Sequence, residues 1–351
     1  MSFLLELPDV VMKLVLGKLD YVSVQRIRKT CRSLRNFIDD VKPESKLSAF
    51  RILFTPKYLR FFIWFEDLEN LQIEYITVDN GCKIVPEGGE YQWFFENSDF
   101  LDIAFGDAKL LLDFTNSGKI QTLIFHSMCP PETSRNPRPW FLDRLHGYLK
   151  SRKNLLKVKF LDFAFLEQQE ILDLLPFLEP GILRNLRLEF VGYKIKRQDF
   201  RTRKLSKIVN LEQWKMAREL KISNFCLSCP MENLYNFKRI HVNIKEATEE
   251  FLGLKERFLN STHMENFEFH FRQFDAFEKL TEIFGEISFS DTQYMNGYKR
   301  HWFFEYSENS DNLLEITFFE NFKYYAFDIN KKVIFSRISR KMIPSGAIIY
   351  K

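Results

Sequence analysis

Cys226-Leu227-Ser228-Cys229 carries the most suggestive chemistry in the chain, two thiols at the spacing of half a zinc site or of a redox pair. A zinc site needs a second ligand pair. The next histidines, His241 and His263, are too far apart for the closely spaced pair of a finger. A thioredoxin-type pair opens a helix, whereas Pro230 follows Cys229 in what reads as a loop. The expected role is structural or incidental. His126 and Cys129 are near enough in sequence for a base and a nucleophile, but Pro130-Pro131 follows and no acidic orienting partner is evident. Gly88-Gly89 lacks the Lys-Ser/Thr that a phosphate loop requires. The six histidines are scattered, and no carboxylate pair sits in a catalytic context. These residues point to a non-catalytic protein with no cofactor and no metal.

Composition narrows the class. A chain of 351 residues is long enough for two or three domains. The 38 phenylalanines imply aromatic-rich strands and helix–sheet packing rather than disorder. A net charge of +4 is too small to imply nucleic acid by itself. One loop, 193–207, is an alternative to weigh: Lys194, Lys196, Arg197, Arg201, Arg203, Lys204 and Lys207 lie there with Tyr193 and Phe200. Basic residues among aromatics can hold a phosphate backbone, yet the run has no helix or strand motif that reads bases. A solvated loop explains it as well. Five cysteines, an odd count without a regular framework, favour reduced thiols in the cytoplasm and/or nucleus. Glu6 and Asp9 break up the start, so no signal peptide is expected, and no apolar run approaches membrane-spanning length.

The elements begin with a helical pattern. Leu7, Val11, Val15 and Leu19 recur every four residues, and Met12 and Leu16 widen the row. Pro8 suits a first turn, and Gly17 marks a weak point or an end. Asp20 stands where an N-cap belongs, ahead of Val24, Ile27, Cys31, Leu34 and Ile38 at three- and four-residue steps. By spacing alone this is a helical hairpin packed on its own domain. Lys42-Pro43-Glu44-Ser45-Lys46 reads as a linker, and the segments 50–54, 59–65 and 71–78 read as strands. Asn80-Gly81 predicts a tight hairpin turn. The pattern over 100–114 is mixed and admits a short helix.

From about residue 120, strand patterns centre on Leu123, Leu156, Leu186, Leu220, Ile240 and Phe267, at spacings of about 20 to 34 residues. Leu156-Lys157-Val158-Lys159-Phe160, Leu186-Arg187-Leu188-Glu189-Phe190 and Ile240-His241-Val242-Asn243-Ile244 alternate apolar with polar. Helical faces lie between them, one of Ile171, Leu172, Leu175 and Leu178, another of Phe251, Leu254, Phe258 and Leu259. The expected class is α+β with α/β repeats: an N-terminal helical module (1–42), a β-rich connecting segment (43–118), a curved leucine-rich-repeat-like βα solenoid (119–290) and C-terminal β hairpins (291–351), the last with Asn330-Lys331-Lys332 as its turn. Period-two alternation sends Leu156, Val158, Leu186, Leu188, Leu220, Ile222, Ile240 and Val242 toward the helices. It leaves Lys157, Lys159, Arg187, Glu189, Lys221, His241, Glu268 and His270 on an open face, a mixed, mainly basic strip suited to an acidic segment of a target protein.

Two motifs resemble known domains. Leu7-Pro8, Val11-Met12, Val15-Leu16, Leu19-Asp20, Val24, Ile27 and Cys31-Arg32 resemble the F-box position by position. The chain departs from that pattern at Val10, Tyr21 and Leu34, where an acidic residue, proline and tryptophan are frequent. Glu212-Gln213-Trp214-Lys215 followed by Ala217-Arg218-Glu219-Leu220-Lys221-Ile222 is similar to the hallmark of the FTH (F-box-associated) domain of nematode-type F-box proteins. Leu155 to Phe160, Ile171 to Leu178 with Pro176, and Leu254 to Leu259 fit the same pattern. The resemblance implies a substrate-recognition subunit of an SCF-type (cullin-RING) ubiquitin ligase. In it Leu7, Pro8, Val11, Met12, Val15, Leu16, Leu19, Val24, Ile27 and Cys31 would bind a Skp-family adaptor, and through it a cullin. The FTH-like region would bind a target protein, with ubiquitin chemistry elsewhere in the ligase. An adaptor-binding scaffold outside any ligase is the runner-up.

Overall fold

The computed structural model of the protein describes residues 6–88, 91–115, 118–129, 136–191, 202–245, 251, 253–271, 277–294, 297–306, 310–320 and 331–351. The chain divides into two compact units, Met1–Leu183 and Arg184–Lys351.

The first unit begins with three short helices, α1 (Asp9–Leu16), α2 (Tyr21–Arg28) and α3 (Arg32–Val41). Pro8 sits at the N-cap of α1, and its carbonyl accepts the N–H of Val11 and Met12 at 2.9 and 3.0 Å. Asp20 caps α2, accepting the Ser23 backbone N–H and hydroxyl, both at 2.8 Å. Arg28 forks onto Asp39 at 2.6 and 2.9 Å and ties α2 to α3. The core of this bundle is Met12, Leu16, Val24, Leu34 and Ile38, joined by Phe114 from beyond the linker. Tyr21 stacks on Phe65 at 5.3 Å and meets Phe114 edge-on at 6.1 Å. The helices are therefore fastened to the sheet that follows.

That sheet holds β1 (Leu47–Phe54), β2 (Tyr58–Phe65), β3 (Leu71–Val78), β4 (Gly81–Pro86) and β5 (Trp93–Glu96), antiparallel in sequence order. After α4 (Phe100–Asp113), β6 (Ile120–Ser127) returns parallel to β1 on its other edge. After α5 (Arg138–Ser151), β7 (Val158–Phe165) pairs parallel with β6, and α6 (Gln168–Leu172) follows. The order is β5-β4-β3-β2-β1-β6-β7. Phe141 of α5 meets Phe54, Phe61 and Phe105 edge-on at 5.5 to 6.3 Å, which is where the phenylalanine excess goes. β5 pairs only with β4 among the described residues, and Trp93, Phe94 and Phe95 on it are exposed. Gly81 has a different reason from the turn expected of it. The turn residues are Asp79 and Asn80; Gly81 opens β4 with φ +150°, and a Cβ there would lie 2.0 Å from the Phe95 carbonyl oxygen. Only glycine lets β5 approach so closely.

Arg138 is buried completely in the first turn of α5. Its guanidinium lies against the rings of Phe54 and Phe163 and donates to Glu170 Oε2 at 2.8 Å and to the Ala164 carbonyl. Burial pulls the Arg138 pKa down and pushes that of Glu170 up, and each opposes that change in the other. Arg138→Met, which keeps the stem and strands the Glu170 charge, is expected to destabilise by about 3–5 kcal/mol. Arg138→Met with Glu170→Met should recover most of that. Urea unfolding of the four proteins of the cycle measures it, and simple additivity of the two losses would refute the coupling.

The second unit contains β8 (Asn185–Phe190), β9 (Thr202–Lys204), α7 (Glu212–Met216), β10 (Glu219–Ser228), β11 (Arg239–Ile244), α8 (Leu254–Leu259), β12 (Asn266–Phe271), α9 (Phe277–Phe284), β13 (Phe289–Tyr294), β14 (Gly297–Glu305), β15 (Asn312–Glu320), β16 (Lys331–Ser339) and β17 (Ile349–Tyr350). β8, β10, β11 and β12 are parallel neighbours, and β9 continues along β10 beyond β8. β16 then pairs antiparallel with β12 and leads to β15 and β14; the far edge of β14 takes both β13 and β17. The class is α+β. A regular leucine-rich-repeat-like solenoid is not seen among the described residues: the parallel run stops at β12, where the tail strand closes the edge. Helices between strands are as short as five residues, so they cannot set a constant repeat. Pairing of β1 with β6 and of β12 with β16 crosses the sequence boundaries at 118 and 290. Of the turn expected at Asn330-Lys331-Lys332, Asn330 lies outside the described residues, and Lys331 and Lys332 belong to β16 instead.

Candidate functional site

Helix α1 is apolar on both sides. Six of its eight residues, Asp9-Val10-Val11-Met12-Lys13-Leu14-Val15-Leu16, are aliphatic or Met. Met12 and Leu16 turn inward, at 3% and 1% exposure, with Val24 beside them. Leu19, Ile27 and Cys31 are half-buried against the same cluster. Leu7 is half-buried and Pro8 exposed. Val10 at 69%, Leu14 at 64%, Val11 at 39% and Val15 at 36% face solvent. The ten residues assigned to adaptor binding thus divide into a face that builds the bundle and a face that is exposed. Val10 and Leu14 belong to the free face, and the four-residue rule passed over them. Their signal was the second row, 10 and 14, running beside 11 and 15. A helix apolar all round is buried or bound, and an exposed apolar patch marks an interaction site.

The second surface is a face of the sheet in the second unit. Strand register places Arg187, Lys221, His241 and Glu268 side by side on β8, β10, β11 and β12. Glu189 and His270 stand two residues further along their strands. Leu186, Leu188, Leu220, Ile222, Ile240 and Val242 are all buried. Lys157 and Lys159 belong to the first unit, Lys157 half-buried and Lys159 exposed.

Charge on this face is largely neutralised within it, contrary to the mainly basic strip expected. Glu268 receives His270 Nε2 at 2.7 Å, Lys332 Nζ at 3.2 Å and His241 Nδ1 at 3.5 Å. Burial raises the Glu268 pKa, but hydrogen bonds from His241 and His270 and the Lys332 charge outweigh it and hold the carboxyl well below its ordinary range. Arg187 reaches Glu189 at 3.8 Å. His270, expected on the open face, is only 3% exposed, and burial lowers its pKa. The expectation failed there because β16, from the far end of the chain, lies beside β12 and brings Lys332 opposite His270. Lys221 is exposed, with no carboxylate in ion-pair reach among the described residues.

Of the residues with potential chemistry, Cys226 is buried in β10 and Cys229 is half-buried just beyond its end. Cys129 is fully buried, and burial pushes its thiol up to about 11, so it is protonated at neutral pH. His126 does have an acidic neighbour, Asp162, with Nε2–Oδ2 3.4 Å, while Nδ1 lies 3.2 Å from Arg51. The partner is distant in sequence and is delivered by the pairing of β6 with β7. In the 193–207 loop, residues 193–201 lie outside the described residues; Arg203 lies over the Phe190 ring at 3.6 Å.

A family model of the F-box domain matches residues 4–46, and one of the FTH domain matches residues 140–287. The chain carries an F-box and an FTH domain. The F-box match contains α1, α2 and α3 and ends where β1 begins. Over 246 residues the chain is 26% identical to F-box A protein 224 of Caenorhabditis elegans, covering 69% of this chain and 59% of that protein. The chain therefore spans less than two thirds of the length of this curated relative. Inside the FTH match, Trp214 is a core pin. Its ring is fully buried, meets Phe237 edge-on at 5.2 Å, and donates Nε1–H to the Asn233 carbonyl at 2.9 Å. Its own carbonyl accepts the Asn236 amide at 2.9 Å. No helix of the described residues is long and apolar enough to cross a membrane.

Proposed function

We propose that this chain is a non-catalytic substrate-recognition subunit of an SCF-type ubiquitin ligase. The F-box docks on a Skp-family adaptor, which brings the cullin, and the FTH-bearing region holds a target protein. The observation that carries this reading is the free apolar face of α1, Pro8, Val10, Val11, Leu14 and Val15, inside the F-box match. Helix-in-groove docking concentrates energy in a few such side chains. Leu7 stands at the edge of that face, while Met12, Leu16, Leu19, Val24, Ile27 and Cys31 shape it from beneath. For the target, Arg187, Lys221 and His241, with Glu189, form the accessible part of the registered row, and Lys157 and Lys159 are the corresponding candidates in the first unit. A protein working this way acts in the cytoplasm or nucleus.

Affinity purification of the full chain with and without proteasome inhibition tests the proposal. Adaptor and cullin should co-purify, and a target should accumulate only when degradation is blocked. Adaptor without cullin would favour a scaffold outside a ligase; absence of adaptor overturns the proposal.

A further inference from the structure

His241, Glu268 and His270 form a compact donor set, of which the reading above uses only the accessible edge of His241. Their ligand atoms all lie within 4.8 Å of one another. The cluster is fixed by backbone pairing: His241 is opposite Glu268 across β11 and β12, and His270 is opposite Asn243 one pleat further on. β12 is held on its other edge by β16, so neither ligand strand is an edge strand. The imidazole rings are 4.7 Å apart between centroids. Two imidazoles and a carboxylate are a zinc-type donor set, and in sites with three protein ligands the fourth position stays open. Glu268 Oε1 lies 2.7 Å from His270 Nε2 and Oε2 lies 3.5 Å from His241 Nδ1, either side of the edge of about 3.3 Å that a tetrahedron with 2.0–2.1 Å bonds requires. His270 is almost fully buried and His241 half-buried, so the site has a dry floor and a solvent side.

We propose that His241, Glu268 and His270 bind a divalent transition metal, zinc by donor type, in exchange for the Lys332 ammonium. Lys332 Nζ sits 3.2 Å from Glu268 Oε1 and supplies the positive charge the carboxylate otherwise lacks. A metal ion takes over that role, the Lys332 side chain withdraws, and no covalent or redox change is involved. Lys332 then sets the affinity, because the metal must displace it.

Calorimetric titration of zinc chloride into the full chain, with cobalt(II) absorption as the second readout, tests this. Binding of one zinc per chain is expected. His241→Asn should weaken it about tenfold or more, on the scale seen when even outer-shell partners of metal ligands are lost. Lys332→Met should strengthen it, an outcome that a folding defect does not mimic. Cys229→Ser should change nothing. No zinc uptake in the millimolar range overturns the proposal. So does uptake indifferent to both His241→Asn and Lys332→Met, or uptake lost in Cys229→Ser.

Discussion

Val11→Asp together with Leu14→Asp is expected to abolish capture of a Skp-family adaptor while leaving the protein folded. Both side chains are exposed on α1, so the carboxylates stay in water in the free protein. In the complex they would be driven into an apolar groove unpaired. Loss of one central anchor costs about 2 kcal/mol or more, roughly thirty-fold in affinity, and two carboxylates in one groove take binding below detection in a pull-down. Leu16→Asp is the contrasting variant. Leu16 is in the bundle core, and a carboxylate there would lack any partner, a penalty of several kcal/mol against folding. Its failure to capture adaptor should come with lost helical circular dichroism or a lowered melting temperature, whereas the double variant melts like wild type. Wild-type capture by a folded Val11→Asp/Leu14→Asp protein would remove the free face of α1 as the docking site.

Trp214→Ala should be among the most damaging substitutions in the second unit. It vacates a fully buried indole beside Phe237, and large aromatic-to-alanine changes in cores cost about 3–5 kcal/mol. It also leaves the Asn233 carbonyl without its indole donor, worth about another 1–3 kcal/mol if water cannot reach it. Trp214→Phe restores part of the volume but not the hydrogen bond, and should fall between the two. Chemical unfolding followed by circular dichroism gives the order. A loss below about 1 kcal/mol for the alanine variant would mean that the site collapses around the deletion. The hallmark of the FTH domain would then need a reason other than packing.

How far the sequence carried can be judged from these residues. Local rules were legible. Asp20 caps α2, strand alternation separated Leu186, Leu188, Leu220 and Ile222 from their polar neighbours, and the F-box and FTH motifs located both matched domains. What failed depended on partners far away in the chain. Periodicity finds an apolar face but cannot say whether two faces are present, so Leu16 was grouped with Val11 and Val15 although a core including Phe114 takes it inward. His126 could not be matched with Asp162 before β6 and β7 were paired. Nor could His270 be seen as buried, or the strip as self-neutralised, without β16 beside β12 and Lys332 on it. A repeat was read from unequal spacings, and the helices between the strands, from five residues in α7 to fourteen in α5, are too unequal to enforce one.

The close approach that Gly81 permits has a consequence for handling the protein. β5 has no further strand on its outer side among the described residues and presents Trp93, Phe94 and Phe95 to water. A short, aromatic strand with open amides and carbonyls is a template for another chain, and neither a proline nor a lysine interrupts these four residues. At high concentration this rim of the first unit is thus expected to promote self-association, by a route that leaves folding untouched. Lysine at position 94 is the gatekeeper substitution that would act on it.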